Sequence, residues 1–149
     1  MEVTPVGATL DQINIVVRDM DAMSEFYGRL GLQIDAASPE WAAHHRSDAG
    51  DDGGPVDFDL DSQEFARVWN EGWPGGPGVV LTFRVESRDA VDRLYHDLAN
   101  AGYQSQQSPY DTFWGARFAV VADPDGNSVG LMSHADPGRA TTPPSPPSE

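Results

Sequence analysis

An internal repeat with an offset of 68 residues constrains the fold of this chain more than any other feature. Residues 13–30, INIVVRDMDAMSEFYGRL, align without gaps to residues 81–98, LTFRVESRDAVDRLYHDL. The repeat predicts two copies of one supersecondary module that pack against each other. The identical pairs are Val17/Val85, Asp21/Asp89, Ala22/Ala90, Tyr27/Tyr95 and Leu30/Leu98.

Each copy of the repeat has the pattern of a strand followed by a helix. Asp19 and Ser87 are helix-capping residues, and Gly31 and Gly102 mark the helix ends. Alternating apolar residues predict a half-buried strand in each copy: Ile13, Ile15 and Val17, then Leu81, Phe83 and Val85. Apolar residues spaced three and four apart predict the buried face of each helix: Met23, Phe26, Tyr27 and Leu30, then Val91, Leu94, Tyr95 and Leu98.

Three short extended segments follow each helix and give the order β-α-β-β-β twice. They cover 33–37, 41–46 and 56–61 in the first half, and 103–107, 116–122 and 128–133 in the second. The turn DPDG (123–126) predicts a hairpin before the last strand, and the acidic stretch DAGDDGG (48–54) predicts the matching connection. The segment SQEFARVWN (62–70) predicts an extra short helix that presents Phe65, Val68 and Trp69.

We therefore expect an α+β fold, in which two βαβββ modules form a cupped, barrel-like mixed sheet with helices outside. The first module covers 1–71, the linker GWPGGPG covers 72–78 and the second module covers 79–134. We expect the Pro-rich tail, 135–149, to be disordered, because repeated prolines cannot sustain helix or sheet hydrogen bonds.

The composition excludes several classes of partner. The 149 residues include 24 Asp and Glu against 9 basic residues, all of them Arg, for a formal net charge of −15. Nucleic acids and anionic membranes need clustered positive charge, so we expect neither as a partner. There is no Cys, which excludes disulfides and thiolate metal sites. The sequence has no signal-like start and no apolar run long enough for a membrane span, which predicts a soluble, cytoplasmic protein.

Two segments resemble the vicinal oxygen chelate superfamily, which includes glyoxalase I, extradiol dioxygenases, fosfomycin-modifying enzymes and bleomycin-resistance proteins. They are LDQINIVVRDMDAMSEFYGRLGL (10–32) and FAVVADPDGNSVGLMS (118–133). The resemblance implies the paired-module fold and a homodimer. In the enzymes of that group it also implies a divalent metal in the cup, with ligands from the first and last strands of each half. Fold alone does not fix function.

The repeat maps the metal positions of that superfamily onto Gln12 and Asp59 in the first half and Val80 and Gly130 in the second. Only the first two can ligate, and two ligands are too few for a protein-held transition metal. We therefore expect no cofactor, and a divalent metal only under the enzyme alternative below. His44 or His45 adds a ligand if it faces the cup, and at most one does, because adjacent strand residues point to opposite faces. Otherwise they form a surface or hydrogen-bonded pair.

Strand alternation also predicts the lining of the cup. The residues on its face are Gln12, Asn14, Val16, Asp57, Asp59, Asp61, Val80, Thr82, Arg84, Phe118, Val120, Ser128 and Met132, with Gly130 leaving open room. Three carboxylates on one strand favour a cationic ligand, with Arg84 pairing one of them, or else lie at a solvated mouth. The aromatic residues of the extra helix, the linker and the loop near 113 either form a lip or fill gaps beneath loops: Trp69, Trp73, Phe113 and Trp114.

Two functions follow from this lining, and a regulatory or assembly role stays open beside them. The first is a metal-independent protein that sequesters a small aromatic or cationic molecule, as bleomycin-resistance proteins do. The second is an enzyme of the superfamily: a metal-dependent isomerase, lyase or dioxygenase, or a metal-free acid–base isomerase, using Asp57 or Asp59. The candidate ligand-binding residues are Gln12, Asn14, Asp57, Asp59, Trp69, Thr82, Arg84, Trp114 and Phe118.

Overall fold

A computed structural model describes residues 7–36, 44–47 and 56–142. The first module contains β1 (Ala8–Val17), α1 (Met20–Arg29), β2 (Ile34–Ala36), β3 (His44–Ser47), β4 (Asp57–Ser62) and α2 (Gln63–Trp69). The second contains β5 (Gly78–Val85), α3 (Arg88–Asn100), β6 (Ser105–Asp111), β7 (Arg117–Ala122) and β8 (Ser128–Met132), followed by a 3-10 turn at Pro137–Arg139.

The eight strands that the structure describes belong to one mixed sheet with the order β2-β3-β4-β1-β5-β8-β7-β6. Within each module the first and last strands are parallel, β1 with β4 and β5 with β8. The modules join through β1 and β5, which are antiparallel. The α+β fold of two βαβββ modules is therefore confirmed, and the duplication seen in the sequence is a duplication of structure.

The predicted helix boundaries are confirmed at both ends of α1 and α3. The Asp19 carboxylate accepts a hydrogen bond from the amide of Ala22, and the Ser87 hydroxyl accepts one from the amide of Ala90, each at 3.0 Å. These bonds satisfy amides that have no partner within the helix. Gly31 follows α1 with φ of +103°, a backbone conformation that residues other than glycine rarely adopt.

Helices α1 and α3 cover the convex face of the sheet. Met20 of α1 packs with Val17 and Leu60, and Val91 of α3 packs with Val85 and Leu131. The predicted stripe of α1 is wrong at two positions, because Phe26 and Leu30 are 56% and 69% exposed. Their repeat partners, Leu94 and Leu98, pack against the core.

Helix α2 lies on the concave face, so the expectation that the helices lie outside does not extend to it. Phe65 and Trp69, one helical turn apart, pack in one cluster with Val16, Val80, Phe118 and Val120. Val68 points to solvent and is 39% exposed, contrary to its predicted role. A short helix can bury only one stripe, and here that stripe faces the cup.

The C-terminal segment is ordered as far as the structure describes it. Residues 135–142 run along the loop at 112–116, which corrects the expectation of a disordered tail for these residues. Residues 143–149 and the acidic stretch 48–54 lie outside the described residues. No helix in the described parts of the chain is long and apolar enough to cross a bilayer.

Candidate functional site

A cavity of about 410 Å³ opens on the concave face of the sheet. The nine candidate residues from the sequence all line it: Gln12, Asn14, Asp57, Asp59, Trp69, Thr82, Arg84, Trp114 and Phe118. Asp61 and Met132, predicted on this face, and Phe113, predicted in the lip, line it as well, and the structure adds Asp11, His44, Phe65 and Ala135. Strand parity brings most of these side chains together, because every second residue of a strand faces the same side of the sheet.

The first-module wall of the cavity holds two buried carboxylates. Asp59 and Asp61 are 1% and 0% exposed. The Gln12 amide donates a hydrogen bond to Asp59 Oδ2, and Asn14 Nδ2 donates one to Asp61 Oδ2 at 2.8 Å. The parallel pairing of β1 with β4 places these amides beside the carboxylates. Such donors are what allow a carboxylate to be buried.

His44 lies between the two carboxylates. Its Nδ1 atom contacts Asp61 Oδ1, and its Nε2 atom is 3.8 Å from Asp59 Oδ2. Antiparallel pairing of β3 with β4 sets His44 opposite Asp61. The sequence offered His44 as a metal ligand or as part of a surface or hydrogen-bonded pair. It did not predict the contact with Asp61, because the register of β3 against β4 cannot be read from local pattern. The His45 side chain lies outside the described part of the chain.

Arg84 does not pair with the three carboxylates of β4 as expected. Its Nη2 atom donates to Asp11 Oδ2 at 2.7 Å, and its Nη1 atom is 3.3 Å from His134 Nδ1. Among the described residues, the lining therefore contains four carboxylates and one guanidinium.

An aromatic cluster forms the wall opposite the carboxylates. The Phe118 ring meets the rings of Trp69, Tyr110 and Trp114 at centroid distances of 6.0, 6.2 and 5.9 Å, nearly edge to face in each case. This geometry is favourable because the positive edge of one ring meets the negative face of another. Burial raises the pKa of the Tyr110 phenol above its ordinary value, and its hydroxyl donates to the Trp69 carbonyl at 3.2 Å.

Of the four expected lip residues, Phe113 and Trp114 line the cavity and are half-buried. Trp69 lines it from α2 and is almost fully buried. Trp73 does not line it. Its indole Nε1 donates to the carbonyl of Gly76 at 3.1 Å, so it fills a gap within the linker.

The sequence-family model of the Glyoxalase/Bleomycin resistance protein/Dioxygenase superfamily matches residues 9–131 of this chain. The chain belongs to this superfamily. The match spans both modules and the strands that carry the cavity, and it agrees with the motifs at 10–32 and 118–133. Comparison with curated proteins gave no match.

Solved structures share the fold of the superfamily at low sequence identity. The chain is 21% identical to the Mn(II)-bound glyoxalase from Novosphingobium aromaticivorans, with a TM-score of 0.61. The match covers 88% of this chain and 40% of the glyoxalase chain. It is 16% identical to the H200Q variant of homoprotocatechuate 2,3-dioxygenase from B. fuscum, with a TM-score of 0.62. That match covers 91% of this chain and 35% of the dioxygenase chain. A chain described as NAD-dependent benzaldehyde dehydrogenase from Legionella pneumophila is 22% identical, with a TM-score of 0.59. That match covers 82% of this chain and 96% of the Legionella chain.

The second-module metal positions of the superfamily are closed in this chain. Val80 is fully buried in the concave cluster. A Cβ added to Gly130 would lie 2.7 Å from Thr82 Oγ1 and 3.0 Å from Phe118 Cε1. The expectation that Gly130 leaves open room is therefore wrong, because Phe118 of β7 fills the space above it.

The donors that the described residues supply do not fit a divalent metal held by protein ligands. Gln12 and Asp59 supply one neutral amide and one carboxylate, and these two side chains are hydrogen-bonded to each other. His44 does face the cavity, but its Nδ1 atom contacts Asp61 and its Nε2 atom is 3.8 Å from Asp59 Oδ2. Among the residues that the structure describes, no group of three His, Asp or Glu side chains is suited to hold a metal ion. Such sites need three or more ligands in a defined geometry.

Proposed function

We propose that this protein binds a small aromatic or cationic molecule in the concave cavity without a metal, and that it acts by sequestration. The observation that carries the proposal is the division of one cavity into an acidic wall and an aromatic wall. A volume of about 410 Å³ lies in the range of small-molecule sites.

The charge of the lining supports a cationic ligand. Among the described residues, four carboxylates face the cavity with one guanidinium, and that guanidinium is paired with Asp11. A cation that enters gains Coulomb attraction from these carboxylates. The net charge of −15 would also attract cations over a longer distance at low ionic strength.

The aromatic wall supports a flat ligand. Phe113 and Trp114 stand edge to face with centroids 5.0 Å apart and present partly exposed apolar surface to the cavity. Aromatic faces attract cations as well as apolar rings. A planar aromatic cation therefore matches both walls.

An enzyme of the superfamily is the alternative. The observation that favours it is the adjacency of Asp59, His44 and Asp61 in the cavity, since proton transfer needs titratable groups beside a bound substrate. Asp57 also lines the cavity and is half-buried. A metal-free acid–base isomerase would use Asp57 or Asp59, and a metal-dependent enzyme would need further ligands from its substrate.

The test is a titration of the purified full chain with 9-aminoacridine, a planar aromatic cation, and with neutral acridine at the same pH. We expect saturable quenching of tryptophan emission by 9-aminoacridine and weaker binding of acridine. Asp59→Asn should raise the dissociation constant on the order of tenfold, because it removes one charge and keeps an acceptor for Gln12. The control is Asp125→Asn, which removes a charge from the exposed turn at 123–126.

Two outcomes would overturn the binding proposal. One is that neither compound perturbs tryptophan emission or the melting temperature. The other is metal analysis that finds stoichiometric, tightly bound Mn, Fe, Ni or Zn in the purified protein. The second result would favour the enzyme.

The resemblance to the superfamily also leads us to propose a cytoplasmic homodimer. Light scattering of the purified chain tests the dimer, and a monomer at micromolar concentration would refute it.

A further inference from the structure

The C-terminal strap, residues 134–141, runs from the end of β8 across the edge of the cavity. His134 Nδ1 lies 3.3 Å from Arg84 Nη1, and Ala135 lines the cavity. The Asp136 amide then donates to the Gly115 carbonyl at 3.0 Å, and the Thr141 amide donates to the Phe113 carbonyl at 2.8 Å. The strap therefore contacts both the sheet side and the aromatic side of the opening.

The strap holds a tight turn, the aromatic lip of residues 112–116. The Thr112 hydroxyl donates to the Ala116 carbonyl at 3.1 Å and accepts from the Ala116 amide at 3.0 Å, which closes the base of the turn. Phe113 and Trp114 project from the turn into the cavity. Arg88 supports the other side of the lip, since its Nη1 atom donates to the Gly115 carbonyl at 3.4 Å.

The contact between strap and lip requires glycine at position 115. Gly115 has φ of +90°, and a Cβ there would collide with the Asp136 carbonyl oxygen. The absence of a side chain lets two backbone segments approach each other. The neighbouring residue, Trp114, lines the cavity.

We propose that the C-terminal strap is a positioning element of the binding cavity, and that its detachment opens the lip for ligand exchange. The strap is exposed along its whole length and is held to the lip by two backbone hydrogen bonds. Segments with few buried contacts open far more often than the core. The role in ligand exchange rests on the proposed function of the cavity, whereas the attachment of the lip does not.

The first test is amide hydrogen exchange by NMR on the full chain, with Thr141→Pro. Proline removes the donor to Phe113 and suits the backbone of Ala140, whose ψ of 141° is typical of a residue before proline. We expect exchange at the Asp136 amide to accelerate on the order of tenfold, with the paired amides of β7 and β8 unchanged. Thr142→Pro is the matched control and should leave the Asp136 amide unchanged.

A second pair of variants tests the close approach. Gly115→Ala should accelerate exchange at Asp136 because the new Cβ displaces the strap. Gly126→Ala is the control, since Gly126 has a similar φ of +91° and open space around its Cβ position. Equal exchange at Asp136 in wild type, Thr141→Pro and Gly115→Ala would overturn the attachment.

Stopped-flow release of 9-aminoacridine tests the role in ligand exchange. We expect the dissociation rate constant to rise on the order of tenfold in Thr141→Pro and to stay unchanged in Thr142→Pro. Faster amide exchange with an unchanged dissociation rate would overturn that role. If wild-type protein binds neither 9-aminoacridine nor acridine, the proposed function fails, and the amide exchange still decides whether the strap positions the lip.

Discussion

Gly130→Ala tests the claim that the second-module metal position is filled. The added Cβ would lie 2.7 Å from Thr82 Oγ1 and 3.0 Å from Phe118 Cε1, and both side chains are buried. Overpacking of this kind costs about 1–3 kcal/mol. Replacing glycine also lowers the conformational entropy of the unfolded chain, which offsets about 0.4–1 kcal/mol of the overpacking cost. The free energy of unfolding should therefore fall by about 1.3 kcal/mol.

Urea denaturation followed by tryptophan emission measures this change. With an m-value of about 1.5 kcal/mol/M, the midpoint should fall by about 0.9 M. The control is Gly28→Ala, because Gly28 lies within α1 and has open space around its Cβ position. The free energy of unfolding of that variant should rise by about 0.5–1 kcal/mol, since alanine has a higher helix propensity than glycine.

Removing the obstacle should rescue the variant. Thr82→Ala deletes the closest atom, so Gly130→Ala should cost at least about 0.5 kcal/mol less in the Thr82→Ala background than in wild type. A Gly130→Ala protein as stable as wild type would refute the reasoning. The space above Gly130 would then be open, and the argument against a fourth metal ligand would lose its structural basis.

Three further predictions concern burial, capping and charge. Burial raises the pKa of Tyr110 in the folded protein above the value of about 10 that the unfolded chain has. The folded state therefore favours the neutral phenol. This contribution to the free energy of unfolding is complete below pH 10 and is lost as the pH rises further. Because the chain has no Lys, tyrosines dominate this pH range, and Tyr110→Phe should make the fall in the urea midpoint between pH 10 and 11.5 shallower. Ser62→Ala should lower the free energy of unfolding by about 1 kcal/mol because the Ser62 hydroxyl accepts from the Phe65 amide at 3.1 Å, whereas Ser24→Ala in α1 should not lower it. Raising NaCl from 50 to 500 mM should weaken binding of 9-aminoacridine and leave acridine unchanged, and equal salt dependence of the two would contradict electrostatic recognition.

The sequence by itself determined the duplicated modules and the side of each main strand that faces the cavity. The repeat and the alternation of apolar residues along β1, β4 and β5 are local patterns with a fixed period of two. They were sufficient to place Gln12, Asp59 and Thr82 on one surface. Helix caps such as Asp19 could be read in the same way, because a cap acts only within the first turn.

The tertiary structure alone decided what fills and closes that surface. Phe118 occupies the space above Gly130 from a neighbouring strand, His44 reaches Asp61 from β3, and the residues after 134 bind the lip. Each of these contacts joins residues far apart in sequence, so their relative position depends on strand order and register rather than on local pattern. Local periodicity thus predicts the direction of a side chain, whereas only the packed chain shows which neighbour meets it.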